Sequence, residues 1–348
     1  STFLLQLEKQ LEKLKRSKGV DIQVRGIADS KKMYLSNEAI DLTQWKNLFS
    51  SKSIAVDLEI FADHIKASHI PHSVIIEATA NSSIVPLYSN WLRKGIHIIS
   101  PNKKANTGSM SEYLEIRKMA KKTNCHFLYS THVGAGLPII QTLKDLHSTG
   151  DEIFMIQGIL SGTLSFIFNQ FDGSKPFSEI VKLAKDKGYT EPDPREDLSG
   201  QDFARKLVIL AREMGGNIEV SDVQIQNLVP PKLSSMTCEQ FLKQLNELDE
   251  PMSKYLSAAK NDQKILRFVG TIKSDGTAEV KLETLSKDHP FSSVSGTDNI
   301  LLFKTKRYWE QPLVIKGPGA GPEVTAAGVF ADLLRLSQYL GVNSGASL

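Results

Sequence analysis

The opening stretch STFLLQLEKQLEKLKRSKGVDIQVRGIADSKK, Ser1 to Lys32, decides the fold class. Its apolar residues recur at helical spacing with Glu and Lys between them, so an amphipathic helix is already under way at Ser1. DIQVRGIAD follows as an alternation apolar enough for a buried strand, and Asp29 stands at its end. Helix, strand and terminal acid read as the second half of a βαβ nucleotide-binding unit. In such a unit a first strand and a Gly-rich turn, which receives a pyrophosphate, come before the helix. Neither is in the sequence, so the reading predicts further residues upstream of Ser1. The alternative is that the helix opens an ordinary α/β domain.

Outward from there the alternation continues. Ile54 to Ala67 reads as strand material and a helix, His72 to Ala80 as a strand ending in small polar residues, and GIHIIS as another after a helix through Trp91 and Leu92. A helix over Ser111 to Lys122 and the strand CHFLYS come next. Strands alternating with helices predict a mostly parallel sheet, with ligands beyond its carboxyl ends, where Thr79, Asn81, Ser82, Asn102 and Lys103 fall. From Asp151 the texture changes. IFMIQGIL is a strand, SGTLSFIFNQF a glycine turn into a helix, and helices are expected over Phe177–Lys187 and Gln201–Met214. LRFVGTI, AEVKLETL, NILLFKT and QPLVIKG then give strands separated by turn signals, hence an antiparallel or mixed sheet with helices on one face and a second, α+β domain.

At 348 residues the chain is long enough for two domains, and its 41% hydrophobic, 23% charged and 7% aromatic content is ordinary for a globular protein. No apolar run approaches the ~18 residues of a membrane span. The net charge of +3 is small and dispersed, which argues against nucleic acid as a partner. Cys125 and Cys238 are far apart and outside any CxxC pair, so neither a disulfide framework nor a zinc site is indicated, and a reducing cytoplasm is expected.

GYTEPDPREDLSGQDFARK, Gly188 to Lys206, concentrates charge ahead of a predicted helix. Asp202 and Lys206, four apart on that helix, share a face. Pro192 and Pro194 stiffen the segment before it and Gly188 permits a tight turn, so Glu191 is held in place. A fixed Glu and Asp can bind an ammonium group, and a Lys beside them can manage a proton at a carbonyl or alcohol carbon. The rival reading, a calcium loop, lacks the D-x-D-x-D-G spacing, and the prolines fall where such a loop must curl. Lys103, in PNKKAN, follows directly on a strand; brought near Lys206 it would depress the pKa of both. THVGAGLPII and KGPGAGPEVTAAGVFADLL are glycine-dense without matching a phosphate-binding turn, and His126 and His132 are read as structural.

Five motifs together resemble homoserine dehydrogenase: PNKKAN (101–106), FLYSTHVGAGLPII (127–140), GILSGTLSFIF (158–168), GYTEPDPREDLSGQDFARKL (188–207) and GPGAGPEVTAAGVFADLL (317–334). The resemblance is strongest to the dehydrogenase half of bifunctional aspartokinase/homoserine dehydrogenases. It implies a Rossmann-type domain (1–133), an α+β substrate and dimerisation domain (134–316) and a segment (317–348) returning to the first. It also implies NAD(P)-dependent interconversion of L-aspartate 4-semialdehyde and L-homoserine, on the route to threonine, methionine and isoleucine, in a homodimer or larger oligomer, with a fused upstream aspartokinase as a further expectation. By motif position, Lys206 would carry the proton and Lys103 would lie between cofactor and substrate. Glu191 and Asp202 would hold the amino acid, Thr163, Tyr189 and Asp197 would line the site, and Thr79, Gly188 and Gly321 would touch the cofactor. Some members hold a monovalent cation on carbonyls matching Val133, Ala135 and Leu137 with an acid where this chain has Ser130, which supplies no charge.

Asp29 would favour NAD through a ribose hydroxyl, whereas Ser30, Lys31 and Lys32 could receive the 2′-phosphate of NADP; the reading leans to NADP. Two rival functions remain: an oxidoreductase of the same architecture for another amino or hydroxy acid, and a catalytically silent binding or regulatory fragment.

Overall fold

The computed structural model describes residues 1–66 and 71–341, so Ala67, expected to end a helix, and the last residues of the 317–348 segment lie outside the described residues. The chain divides into two compact units, residues 1–131 with 322–348, and residues 132–321.

In the first unit, β4 (Ser73–Ile76), β5 (Ile96–Ile99) and β6 (Phe127–Leu128) form a parallel sheet in chain order. β5 is buried at all its positions, as a parallel strand covered on both faces must be. Leu7, Leu42, Ile99, Val329, Leu333 and Leu336 make one apolar cluster, which joins the Thr2–Glu8 and Pro322–Tyr339 helices to the sheet. The helix leading into β6 runs over Met110–Thr123 and starts in a capping box, Ser109 with Glu112.

DIQVRGIAD departs from expectation. Ile22 and Val24 pack on the core cluster, but only β1 (Gly26–Ala28) is a strand, and it pairs antiparallel with β2 (Lys32–Leu35), which in turn pairs with β3 (Ile54–Ala55). The cause is the turn. Asp29 N–H donates to the Lys32 carbonyl at 2.8 Å, and Asp29 Oδ1 accepts the N–H of Lys31 and of Lys32, each at 2.7 Å. This side-chain-capped turn reverses the chain into a hairpin.

The second unit is built on six strands, β7 (Ile153–Ile159), β8 (Gln224–Ile225), β9 (Ile265–Lys273), β10 (Ala278–Leu285), β11 (Asp298–Thr305) and β12 (Leu313–Pro318). They form one sheet in the order β12-β11-β7-β9-β10-β8. All pairings are antiparallel except β10 with β8, so the sheet is mixed, as expected. The Gly162–Gln170 and Gln201–Glu213 helices cover the face that carries Phe268 and Gly270. Gly270 allows the close approach: a Cβ there would lie 2.5 Å from the Phe203 ring. On the opposite face, Phe291 and Val294 close over Ile159, Val269, Ile300 and Leu302.

Among the described residues, no helix is long and apolar enough to cross a membrane. No group of three or more His, Cys, Asp or Glu among them is arranged to hold a metal ion.

Candidate active site

The Gln201–Glu213 helix positions the central lysine. Phe203, Ala204, Leu207, Val208, Leu210 and Ala211 are its buried face, and anchoring them on the sheet fixes the edge carrying Asp202 and Lys206. The Lys206 ammonium lies 3.0 Å from Asp202 Oδ2 and donates to the Leu160 carbonyl at 2.6 Å. Its side chain is 11% exposed, against 49% for Asp202. The Leu160 carbonyl comes directly after β7 and before Ser161 and Gly162, and sequence reading missed it: a backbone acceptor leaves no side-chain signal beyond a strand stopping at a glycine turn. Asn299, also missed, is buried and donates more weakly to the same carbonyl, at 3.4 Å.

Beside this pair sits the acidic loop. Gly188 stops the Phe177–Asp186 helix in a left-handed conformation, φ 69°, and the Gly188 and Tyr189 N–H groups donate back to Lys185 and Ala184. That is a Schellman ending, for which glycine is the favoured residue. Tyr189 leaves the turn with its ring edge-on to Phe166, and Glu191 N–H donates to Asp197 Oδ2 at 2.8 Å. Pro192 to Pro194 was expected to be an extended tether; instead Pro194 opens a short helix, Pro194–Leu198, with Asp193 as its N-cap. An Asp-Pro pair is an N-cap followed by N1 proline, a signal in the sequence that the extended reading passed over. Arg195 locks this turn by pairing with Asp193 and donating to the Leu233, Ser234 and Met236 carbonyls.

Thr163, at the start of the Gly162–Gln170 helix, completes the group: its hydroxyl oxygen is 2.5 Å from the Tyr189 carbonyl oxygen and 2.8 Å from Asp197 Oδ1. Burial pushes the Asp197 carboxyl above the usual range. The Glu191 N–H opposes the shift, as the Thr163 hydroxyl does when it donates to the carboxylate, and the Glu191 and Asp202 charges add to it. Thr163, Tyr189, Glu191, Asp197, Asp202 and Lys206 thus come from three helices and one loop onto a single patch of the second unit.

The expected cofactor residues lie mainly in the first unit. Asn102 Nδ2 donates to the Asn81 carbonyl at 3.0 Å, tying together the carboxyl ends of β4 and β5. The Thr79 hydroxyl accepts Asn81 N–H there, and Lys103 stands at the N-cap position of the short Lys104–Thr107 helix that follows β5. Asp29, Ser30, Lys31 and Lys32 are all exposed in the hairpin turn. Backbone hydrogen bonds from Lys31 and then Lys32 hold the Asp29 carboxyl below the usual range. Gly321 adopts φ 124° immediately before the Pro322–Tyr339 helix.

In the 133–137 loop, Ala135 is left-handed at φ 52° and the Leu137 carbonyl accepts from Ile139 N–H. Ser130 is engaged elsewhere: its hydroxyl donates to Asp332 at 2.7 Å, and Arg335 pairs with the same carboxylate. His126 belongs to a ladder at the amino ends of the parallel strands. It stacks on His97, and burial pushes His97 down to about 4.

Residues 138–334 match the family model described as homoserine dehydrogenase, and residues 3–130 match the one described as homoserine dehydrogenase, NAD binding domain. The bifunctional aspartokinase/homoserine dehydrogenase 2, chloroplastic, of Zea mays is 47% identical over 98% of this chain and 38% of its own length. The chain therefore spans well under half the length of the curated relatives it matches. A Candida auris crystal structure described as a protein of unknown function superposes with a TM-score of 0.88 at 37% identity, covering 97% of this chain and 94% of that one. A hyperthermophilic archaeal homoserine dehydrogenase in complex with NADPH shares the fold, with a TM-score of 0.72 at 20% identity over 97% and 94% of the two chains. With both of its parts matched, this chain belongs to the homoserine dehydrogenase family.

Proposed function

We propose that the chain interconverts L-homoserine and L-aspartate 4-semialdehyde with a nicotinamide dinucleotide, in the synthesis of aspartate-derived amino acids. The observation that carries the reading is the cradle of Lys206. An ammonium has three N–H groups, and the Leu160 carbonyl and Asp202 engage two of them. One is left for a substrate oxygen. In reduction, Lys206 donates that proton to the aldehyde oxygen; in oxidation the alcohol proton returns to the lysine. The nicotinamide, when bound, supplies or accepts the hydride at substrate C4. Glu191, Asp197 and Asp202 receive the substrate ammonium and so orient C4 toward the lysine, and Thr163 and Tyr189 hold the Asp197 side of the site.

The first unit suits a dinucleotide. Thr79, Asn102 and Lys103 stand at the carboxyl ends of parallel strands, where such ligands bind. In the hairpin, backbone N–H groups engage the Asp29 carboxylate while Lys31 and Lys32 project into solvent. This favours NADP over NAD, because two exposed lysines are available to a 2′-phosphate while the Asp29 carboxylate is occupied by the amides of its own turn.

A monovalent cation fits less well. The Val133, Ala135 and Leu137 carbonyls are present, but Ser130 brings no charge and its hydroxyl serves Asp332. We expect kcat to be the same in sodium-, potassium- and choline-based buffers; a cation requirement would overturn this.

The face of the second sheet bearing Met155, Gln157, Lys281 and Glu283 stays partly exposed, and we propose it as a homodimer interface. The relatives at 47% identity carry aspartokinase in their names, and we propose the same fusion for the natural protein. Two free cysteines suit a reducing compartment, the cytoplasm or an organelle such as the chloroplast named for the plant relatives.

The test is L-homoserine-dependent reduction of NADP and NAD by the whole natural protein, with Lys206→Ala as control. Activity that disappears in the variant supports the reading. A folded wild type silent with L-homoserine but active with another amino or hydroxy acid overturns it.

A further inference from the structure

We infer that Asp197 stands as a neutral carboxylic acid in the substrate-free site, and that capture of the substrate ammonium expels its proton to solvent. The inference rests on the proposed substrate carrying an ammonium group, and its core is a count of protons around Thr163.

The Thr163 hydroxyl oxygen is within hydrogen-bond distance of two oxygens, the Tyr189 carbonyl at 2.5 Å and Asp197 Oδ1 at 2.8 Å. A hydroxyl has one proton to donate, and a carbonyl can only accept. The shorter contact therefore takes the threonine proton. The second contact would press lone pair against lone pair unless the carboxyl supplies a proton of its own. With that proton on Oδ1 every link has one donor and one acceptor: Asp197 donates to Thr163, Thr163 donates to Tyr189, and Asp197 Oδ2 accepts Glu191 N–H at 2.8 Å.

The surroundings point the same way. Thr163 is buried and Asp197 half-buried, so ionisation would place charge in a poorly solvated spot. Glu191, on the same loop, and Asp202, on the next helix, are both acidic and both disfavour a third negative charge. The cations on adjoining elements are already engaged. Lys206 is bound to Asp202 and the Leu160 carbonyl, Arg195 to Asp193 and three carbonyls, and Lys185 to the Pro192 carbonyl.

An arriving ammonium changes this balance, because a cation beside Asp197 favours the carboxylate. The O–H bond of Asp197 breaks, its electrons stay on Oδ1, the proton leaves to water, and Oδ1 accepts an N–H of the substrate. Nothing is oxidised or reduced. Below the midpoint of Asp197 in the free site, substrate affinity must then rise with pH, by about tenfold per unit at most. Above the midpoint it levels off.

The experiment is calorimetric titration of the whole natural protein with L-homoserine, without nicotinamide, in buffers of differing ionisation enthalpy from about pH 5 to about pH 8. The expected result is proton release on binding L-homoserine that approaches about one where Asp197 is still neutral and declines as pH rises through its midpoint. Asp197→Asn should bind without release across the range, since its amide can donate to Thr163 and accept from Glu191 without titrating. KM for L-homoserine should follow pH in the wild type and be flat in this variant. Binding without proton release by the wild type overturns the inference and leaves the proposed reaction standing. Absence of both L-homoserine binding and turnover overturns the proposed substrate, and the inference with it.

Discussion

Asp29 and Asp197 are both carboxylates that accept backbone N–H groups, yet they are driven in opposite directions. In the exposed 29–32 hairpin the two amide donors outweigh what little solvent the group has lost, and the Asp29 carboxyl is held below the usual range. In the 188–202 loop Asp197 also has an amide donor, from Glu191, but burial outweighs it and two neighbouring carboxylates add to the upward shift. Hydrogen bonds alone do not set the charge of a group; the solvent it has lost decides whether they win. In the reading proposed here the first acid is an exposed structural cap, occupied by the amides of its own turn beside two exposed lysines, and the second is a proton reservoir that a substrate ammonium empties.

The largest effect should come from the buried side of this contrast. In the proposed mechanism, Lys206→Ala removes both the proton donor and the positive charge at the developing alkoxide. Loss of kcat/KM by about 100- to 10,000-fold is expected, measured with L-homoserine and NADP. A loss below tenfold would mean that Lys206 serves only to pair with Asp202.

The exposed side should give a smaller and more selective effect. Lys31→Ala combined with Lys32→Ala should raise KM for NADP by roughly two- to tenfold, the range of exposed charge pairs, and leave KM for NAD unchanged. Raised ionic strength should produce the same trend in the wild type, since such contacts are screened. Equal effects on both cofactors would remove the hairpin from the 2′-phosphate and return Asp29 to consideration as a ribose ligand.

How much of this could be read in advance follows the same divide. The 188–206 stretch was legible because its information lies in side chains: glycine at the turn, acids at fixed offsets, a lysine one helical turn after an aspartate. The second sheet was legible because four apolar alternations with turns between them have few other ways to pack. DIQVRGIAD was misread as a strand of the parallel sheet because its alternation serves either pairing direction. What settled the direction was Asp29 capping its own turn, and in the sequence that same Asp could equally be a ribose ligand. The cradle of Lys206 was half hidden, since Asp202 is written in the sequence and the Leu160 carbonyl is not. The proton on Asp197 was hidden altogether, because it depends on which oxygens Thr163 meets, and these come from separate parts of the chain.

The smallest effects make the most direct test of the contrast, because the two acids should change folding stability with opposite sign. For Asp29 the folded carboxyl is the stronger acid, so its stabilisation is present above the unfolded value near 3.8 and is lost as pH falls through the folded one. Asp29→Asn should therefore be less stable than wild type at neutral pH, with the gap closing in acid. For Asp197 the folded carboxyl is the weaker acid. Stability is then lost as pH rises from about 3.8 through the folded midpoint, because the unfolded chain ionises first. Without substrate, Asp197→Asn should match wild type in acid and exceed it at neutral pH; saturating L-homoserine should reverse that order, since only the aspartate can give up a proton to meet the ammonium. Thermal unfolding of the two variants from about pH 3 to about pH 8 reads both signs in one series. If both acids shifted stability in the same direction, burial would not be what separates them, and the neutral Asp197 would lose its physical basis.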